Sequence, residues 1–188
     1  MTKWQNLLSP PEDYAYTCGY CGNKGGPRGI YASSVTATWV LVCSVCSAPS
    51  ALWEGNIVPA AKFGEKVAGA PPDVDALYEE ARGCMGVPAY TGAVLLCRKI
   101  LMHVAVESGA DVGLKFIQYV DYLWEQHYVP PNAKGWVDHI REKGNEATHE
   151  IVQMSREEAE QLISFTEILL KLVYELPYRV PGATAPNA

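Results

Sequence analysis

Two things are scarce in this chain of 188 residues: long apolar runs and basic charge. No apolar run is longer than five residues, as in Ala93 to Cys97, whereas a membrane-spanning helix needs about 20. The first residues do not resemble a signal peptide either. We therefore expect a cytoplasmic protein with no membrane partner.

The shortage of basic charge is uneven along the chain. The whole sequence has 15 Lys and Arg against 21 Asp and Glu, a net charge of −6. Residues 1–70 have five basic and four acidic side chains, whereas residues 71–188 have ten and seventeen. Non-specific affinity for nucleic acid comes largely from Lys and Arg at phosphates, so this balance argues against a high-affinity DNA-binding protein. It leaves room for a small, local basic site.

The six cysteines divide into two groups. Cys84 and Cys97 are single residues in apolar, helix-like sequence. The other four form two C-x-x-C pairs with 21 residues between them: Cys18, Cys21, Cys43 and Cys46. The intervening sequence is β-rich, and this arrangement is typical of a zinc ribbon that holds one structural Zn²⁺ with four thiolates. A redox dithiol would need only one pair and would leave the second unexplained.

The composition changes after the second cysteine pair, which predicts the domain organisation. We expect a zinc ribbon over residues 1–58, a linker over 59–72, a helical domain over 73–178 and a flexible tail over 179–188. Apolar spacing, Ser155 as a helix N-cap and Pro177 as a helix stop predict five helices. Their predicted ranges are about 73–85, 90–108, 112–127, 132–154 and 155–177. The predicted fold class is mainly α, a five-helix bundle preceded by a small β zinc ribbon.

The fourth predicted helix has a polar stripe that is a candidate site. Its sequence WVDHIREKGNEATH places Arg141, Asn145 and His149 at i, i+4 and i+8. Gly144 lies beside them, and a glycine inside a helix indicates close approach of another helix or a ligand. Helical side chains lean toward the N-terminus, so His149 leans toward Asn145 whereas Arg141 leans away from both. A partner protomer could supply the arginine across a two-fold axis, so we expect a homodimer if this is a site.

A second candidate is Arg98, which shares a helical face with apolar residues. A buried arginine must be paired, so it either pairs with a carboxylate of a neighbouring helix or adds a cation to the polar pocket. On the opposite side of the same helix, Lys99, His103 and Glu107 are most simply a solvated, salt-bridged stripe.

These residues carry a family resemblance. Arg98, then Trp136, then Ile140-Arg141-x-x-Gly144-Asn145-x-x-x-His149, followed by a long helix, resembles the bacterial domain-of-unknown-function family 4145. Members often have an N-terminal zinc ribbon. The family is similar to the HEPN (higher eukaryotes and prokaryotes nucleotide-binding) helical superfamily, so the resemblance implies a HEPN-like bundle.

Many HEPN proteins are metal-independent ribonucleases of toxin and anti-phage systems that dimerise to pool an Arg–polar–His motif. The resemblance therefore implies an endoribonuclease with Arg141, Asn145 and His149 as catalytic residues and Arg98 and Gly144 at the substrate. RNA or a nucleotide would be the ligand, and the ribbon would dock RNA or a protein partner. Seven residues separate Arg141 from His149, against four to six in most HEPN proteins. That spacing and the acidic helical half favour the alternatives, a non-catalytic binding module of a defence system or a structural polar cluster.

Overall fold

The computed structural model describes residues 4–7, 15–33, 38–129, 135, 137–138 and 153–179. The chain divides into two compact units. The first unit comprises residues 1–63 and 85–88, and the second comprises residues 64–84 and 89–188.

The first unit is built from β-strands. Five of them form one antiparallel sheet in the order β1-β4-β5-β6-β7, and β2 pairs with β3 in a separate two-stranded ribbon. The strands are β1 (Trp4–Leu7), β2 (Tyr16–Thr17), β3 (Lys24–Gly25), β4 (Pro27–Ser33), β5 (Trp39–Cys43), β6 (Pro49–Trp53) and β7 (Asn56–Val58). The register in which β4 pairs with β5 shifts between Pro27 and Gly29, so Arg28 is the extra residue of a β-bulge.

Alternation along the strands places the core of this unit on one face of the sheet. Successive side chains of a strand point to opposite faces, so Leu41 and Cys43 share a face that Val40 and Val42 do not. Ile30, Leu41 and Cys43 are almost fully buried, and Tyr16 and Cys18 complete the same apolar cluster. The sheet therefore buries the first cysteine of each pair.

The second unit is built from helices. They are α1 (Pro72–Met85, whose last residue belongs to the first unit), α2 (Tyr90–Glu107), α3 (Phe116–Glu125) and α4 (Arg156–Leu170). A π-helical turn (Lys171–Glu175) and a four-residue helical end (Leu176–Arg179) continue α4. α2 packs against both α3 and α4, and its side chains Ile100, Leu101, Val104 and Ala105 are almost fully inaccessible. This helix therefore lies at the centre of the helical unit.

The N-terminus of α4 begins where the sequence predicts. The Ser155 hydroxyl accepts a hydrogen bond from the Glu158 backbone N–H at 3.2 Å, and the Glu158 carboxylate accepts one from the Ser155 N–H at 2.8 Å. Because Ser155 has extended backbone angles, and Gln153 and Met154 are not helical, the preceding predicted helix cannot extend to residue 154. The Met154 backbone N–H instead donates to the hydroxyl of Thr91 on α2.

The C-terminus of α4 differs from the prediction. Pro177 does not stop the helix but lies inside its last turn, Leu176–Arg179. A proline removes one N–H from the ladder and its ring crowds the carbonyl four residues earlier. The π turn before it widens the ladder, since the Leu176 N–H donates to the Lys171 carbonyl five residues back. The wider turn accommodates the ring.

Residues 64–69, which we call the docked segment, lie against α4 and its continuation. The Glu167 carboxylate accepts the backbone N–H of Glu65 at 2.9 Å, and the Glu175 carboxylate accepts that of Ala68 at 3.1 Å. Lys171 donates to both Glu65 and Glu167 at 2.7 Å. The second half of the region predicted to be a linker is therefore anchored to the helical unit.

The predicted fold class, a mainly α five-helix bundle after a small β ribbon, is wrong. Within the described ranges the structure has four helices of ten residues or more and seven strands in two sheets. The strand-rich part is larger than a minimal ribbon because β1 and β7 pair with the edges of β4 and β6. Of the predicted helix over 132–154, most residues lie outside the described part of the chain.

Candidate metal centre

The first cysteine pair lies in a tight loop between β2 and β3. The Cys18 backbone N–H donates to the Asn23 carbonyl, and the Gly22 N–H donates to the Cys18 carbonyl, both at 2.9 Å. Gly22 has φ +72°, a left-handed conformation that glycine adopts without strain. The loop closes on itself and presents Cys18 and Cys21 toward the same point.

The second pair repeats this loop between β5 and β6. The Cys43 N–H donates to the Ala48 carbonyl at 3.0 Å, and the Ser47 N–H donates to the Cys43 carbonyl at 3.1 Å. Ser47 stands where Gly22 stands in the first loop, and it has φ +63°. The two loops, which we call the first and second knuckle (residues 18–23 and 43–48), thus share one hydrogen-bonding pattern.

The four sulfur atoms converge. The Sγ atoms of Cys18 and Cys46 are 3.7 Å apart, as are those of Cys21 and Cys43, and all four lie within 4.8 Å of one another. A tetrahedron with Zn–S bonds of about 2.3 Å has S–S edges of about 3.8 Å. The four cysteines can hold a metal ion, and their arrangement is consistent with zinc.

The surroundings favour a thiolate at Cys43 but not at Cys46, whose pKa is raised to about 12 because burial and hydrogen bonds with the other cysteines outweigh the backbone N–H of Ala48. Backbone N–H groups of Cys46 and Val45 point at the Cys43 sulfur, the latter at 3.4 Å, and they lower the pKa of the Cys43 thiol to about 6. Cys18 and Cys43 are buried, whereas Cys21 and Cys46 are exposed. A metal ion would therefore be reached from the exposed side and be shielded by the sheet on the other.

Tyr16 is a neighbour of the centre that the sequence reasoning missed. It is buried in the same cluster as Cys18 and Cys43. Its pKa is raised to about 12, first by burial and then by the charges of Cys43 and Cys18, so the phenol keeps its proton. The only sequence signal was its place two residues before the first cysteine. Ser47 was also missed, because a serine gives no indication of a left-handed backbone.

Of the candidate site residues predicted in the helical unit, the structure describes one, Arg98. Arg141, Gly144, Asn145 and His149 lie outside the described residues. Arg98 is buried on α2, and its guanidinium carbon lies 4.4 Å from the centre of the Phe116 ring on α3. Burial lowers the pKa of Arg98, and the cation–π contact offsets part of that cost. Arg98 thus occupies the core between two helices.

The predicted solvated stripe on α2 borders a cavity of about 250 Å³. His103 and Glu107 are half-exposed, with Nε2 of the histidine 3.4 Å from a carboxylate oxygen. Lining residues are Asp73, Val74, Leu77, Lys99, Ile100 and His103. The stripe therefore behaves as predicted along one side of a shallow apolar cavity.

Comparison with known proteins adds one finding. A family model described as a domain of unknown function, DUF4145, matches residues 79–186. The search of curated proteins and the search of solved structures gave no match. None of the helices in the described ranges has the length and apolar character that crossing a bilayer requires.

Proposed function

The chain belongs to the DUF4145 family, and on that premise we propose that it is a metal-independent endoribonuclease of a bacterial or phage defence or toxin type. The observation that carries the proposal is the segment Ile140 to His149, which lies inside the family match and contains Arg141, Asn145 and His149. By resemblance, the helical unit is HEPN-like and the first unit is a zinc ribbon.

In this proposal the metal centre has a structural role and the helical unit has the catalytic role. We assign Zn²⁺ to Cys18, Cys21, Cys43 and Cys46, because four thiolates and a tetrahedral arrangement suit zinc. Four protein ligands complete a tetrahedral shell and leave no position for a substrate or a water molecule. The zinc would stabilise the fold of the first unit, and the reacting groups would lie in the second.

The proposed reaction uses the RNA's own 2′-hydroxyl as the nucleophile. His149 takes the 2′-hydroxyl proton as the 2′-oxygen bonds to phosphorus. The bond from phosphorus to the 5′-oxygen then breaks, and the protonated His149 gives the proton to that oxygen as it leaves. The products are a 2′,3′-cyclic phosphate and a 5′-hydroxyl. A histidine pKa near 6.5 suits both proton transfers at neutral pH. Arg141 stabilises the charge on the pentavalent phosphorus, and Asn145 orients the histidine or a phosphate oxygen.

The spacing of these residues supports a homodimeric site. In the helix that the sequence predicts for this segment, the Cα atoms of Arg141 and His149 would be about 12 Å apart along the axis. A second copy of the chain, related by a two-fold axis, would supply its Arg141 to the first copy's Asn145 and His149.

The test is cleavage of total tRNA by wild type and by His149→Ala in excess EDTA. Both proteins must retain their zinc and their circular dichroism under those conditions. His103→Ala is the matched control, because His103 is a half-exposed histidine on α2 that has no part in the proposed site. We expect wild type and His103→Ala to yield cyclic-phosphate ends and His149→Ala to yield none. Equal cleavage by all three would contradict the proposal.

The second candidate is a non-catalytic module that binds a nucleotide, nucleic acid or protein partner through the same residues. Two observations favour it: the seven residues between Arg141 and His149, and the excess of acidic residues in 71–188. Retained RNA or nucleotide binding with no cleavage by any variant would select this function.

A further inference from the structure

The five-stranded sheet has an open face opposite its buried core. Cross-strand pairs connect Tyr31 with Val40, Val40 with Ala51, and Ala51 with Val58, and directly paired residues point to the same side. Trp53 lies two residues beyond Ala51 on β6 and so points to that side as well. We call these five side chains the open face: Tyr31, Val40, Ala51, Trp53 and Val58.

The open face exposes large apolar side chains next to one another. Trp53 is 57% exposed, Tyr31 39% and Val58 38%. On the other face, by contrast, Trp39, Leu52 and Ile57 pack against the core. Contiguous exposed apolar residues of this kind mark an interaction surface.

The spacing of the two aromatic side chains suits two separate ligand groups. Tyr31 and Trp53 are two strands apart and are offset by one pleat repeat. Strands lie about 4.8 Å apart and the pleat repeats about every 7 Å, so the Cα atoms of the two residues are about 12 Å apart. One planar group can stack on each ring.

The described residues of the first unit carry a balance of charge that suits a polyanion. In residues 4–7, 15–33, 38–63 and 85–88, the described part of the first unit, Glu54 is the one carboxylate, against Lys24, Arg28 and Lys62. Arg28 is exposed, and its bulge lies three residues before Tyr31 on the same strand. A zinc ion bound by four thiolates would be formally dianionic, but Cys43 lies on the buried side of the sheet. Arg28 is thus an exposed cation close in sequence to Tyr31, in a unit whose described residues carry more cations than carboxylates within a chain of net charge −6.

We propose that the open face binds single-stranded RNA, with bases stacked on Tyr31 and Trp53 and a phosphate at Arg28. The inference rests on the proposed function for the choice of RNA as the ligand. Aromatic side chains beside cations are the features that proteins use to bind unpaired nucleic acid without sequence preference. The ribbon would hold the strand while the helical unit cleaves it.

The experiment measures binding separately from cleavage. A short, fluorescently labelled single-stranded RNA is titrated with the full-length, zinc-loaded His149→Ala protein at low salt, and anisotropy gives Kd. We expect Tyr31→Ala and Trp53→Ala each to raise Kd about tenfold, the effect of losing one stacked base. Tyr31→Phe keeps the ring and should bind like the parent. Arg28→Gln should make the slope of log Kd against log salt shallower by about 0.7, the effect of losing one phosphate contact.

Tyr20→Ala is the matched control. Tyr20 is an exposed tyrosine of the same unit, 54% accessible, but it lies on the first knuckle and not on the open face. It should leave Kd unchanged. Zinc content and circular dichroism establish whether each variant is folded. Because the mutated side chains are exposed, we expect all the variants to fold.

Three results would overturn the proposal: no binding by the parent protein, equal Kd for the Tyr31, Trp53 and Tyr20 variants, or equally tight binding of duplex RNA, whose bases cannot stack on the protein. No RNA binding would leave a protein partner as the occupant of the face.

The tRNA cleavage assay with wild type distinguishes a failure of this proposal from a failure of the proposed ribonuclease function. Binding that depends on the open face without cleavage refutes only the ribonuclease, and cleavage with unchanged binding in the open-face variants refutes only the docking surface.

Discussion

Gly64→Ala should destabilise the helical unit more than an ordinary glycine substitution does. Gly64 has φ +75° and begins the docked segment. A Cβ atom there would lie 2.9 Å from a Glu167 carboxylate oxygen, 3.1 Å from Ile163 Cγ2 and 3.1 Å from the Tyr78 hydroxyl. Two of these neighbours, Ile163 and Tyr78, are almost fully buried and have little room to move.

The expected loss in the free energy of unfolding has two parts. Placing an alanine in the left-handed region costs about 1–2 kcal/mol, and forcing a methyl group into a packed site costs about 1–3 kcal/mol. The total loss in the free energy of unfolding should therefore be about 2–5 kcal/mol. Displacement of the docked segment would also weaken the hydrogen bond from Arg82 to the Gly64 carbonyl, which is 2.6 Å long.

Gly113→Ala separates the two parts. Gly113 has φ +81°, but no atom lies within 4 Å of the position of its Cβ, so only the backbone cost of about 1–2 kcal/mol applies. Both variants are unfolded in urea and followed by helical circular dichroism, and the free energies are obtained by linear extrapolation. If Gly64→Ala costs no more than Gly113→Ala, the contacts of the docked segment with α4 and Tyr78 do not contribute to stability, and this reasoning is refuted.

Three further predictions concern the metal centre and the docked segment. Cys43→Ser should abolish stoichiometric zinc binding and the thermal transition of the first unit, whereas Cys84→Ser, outside the cluster, should keep one zinc per chain by atomic absorption. Gly22→Ala should weaken zinc retention against a competing chelator by about tenfold, a cost of about 1.4 kcal/mol, because it adds left-handed backbone strain. Ser47→Gly removes such strain and should match or exceed wild type. Glu175 accepts the backbone N–H of Ala68, which lowers the pKa of its carboxyl group. The contribution of this carboxylate to stability is therefore present above the ordinary carboxyl pKa of 4.5 and is lost as the pH falls through the lower pKa of the folded state. Glu175→Gln should therefore flatten the acid side of a urea-midpoint profile, and an unchanged profile would contradict this.

The metal centre was the part of the structure that sequence reasoning could predict, because its pattern is local. Each C-x-x-C pair sits in a six-residue loop whose hydrogen bonds begin and end within the loop. The sequence therefore specifies the sulfur positions with little help from the rest of the chain. The left-handed Ser47 could not be predicted, since it follows from the similarity of the second knuckle to the first and not from serine's own preference.

The docked segment shows why the predicted linker was only partly understood. The partners of its backbone, Glu167 and Glu175, are more than 100 residues away in the sequence. A glycine- and proline-rich stretch indicates a linker, but no local pattern predicts which distant carboxylates will accept its N–H groups. Pro177 is a similar case, because a proline predicts a helix end only if the preceding turn is an ordinary α-turn.

The position of Arg98 bears on which residues of the helical unit can take part in the proposed reaction. Burial lowers the pKa of Arg98, but a guanidinium group in a protein is effectively always charged. The burial of Arg98 and its contact with Phe116 give it a packing role between α2 and α3 that needs no substrate. A family motif can therefore combine residues that maintain the fold with residues that react. If Arg98 belongs to the first group, the proposed reaction depends on Arg141, Asn145 and His149 alone. The predicted helix would bring Asn145 and His149 within reach of each other, so the proposal needs the Arg141 of a second copy.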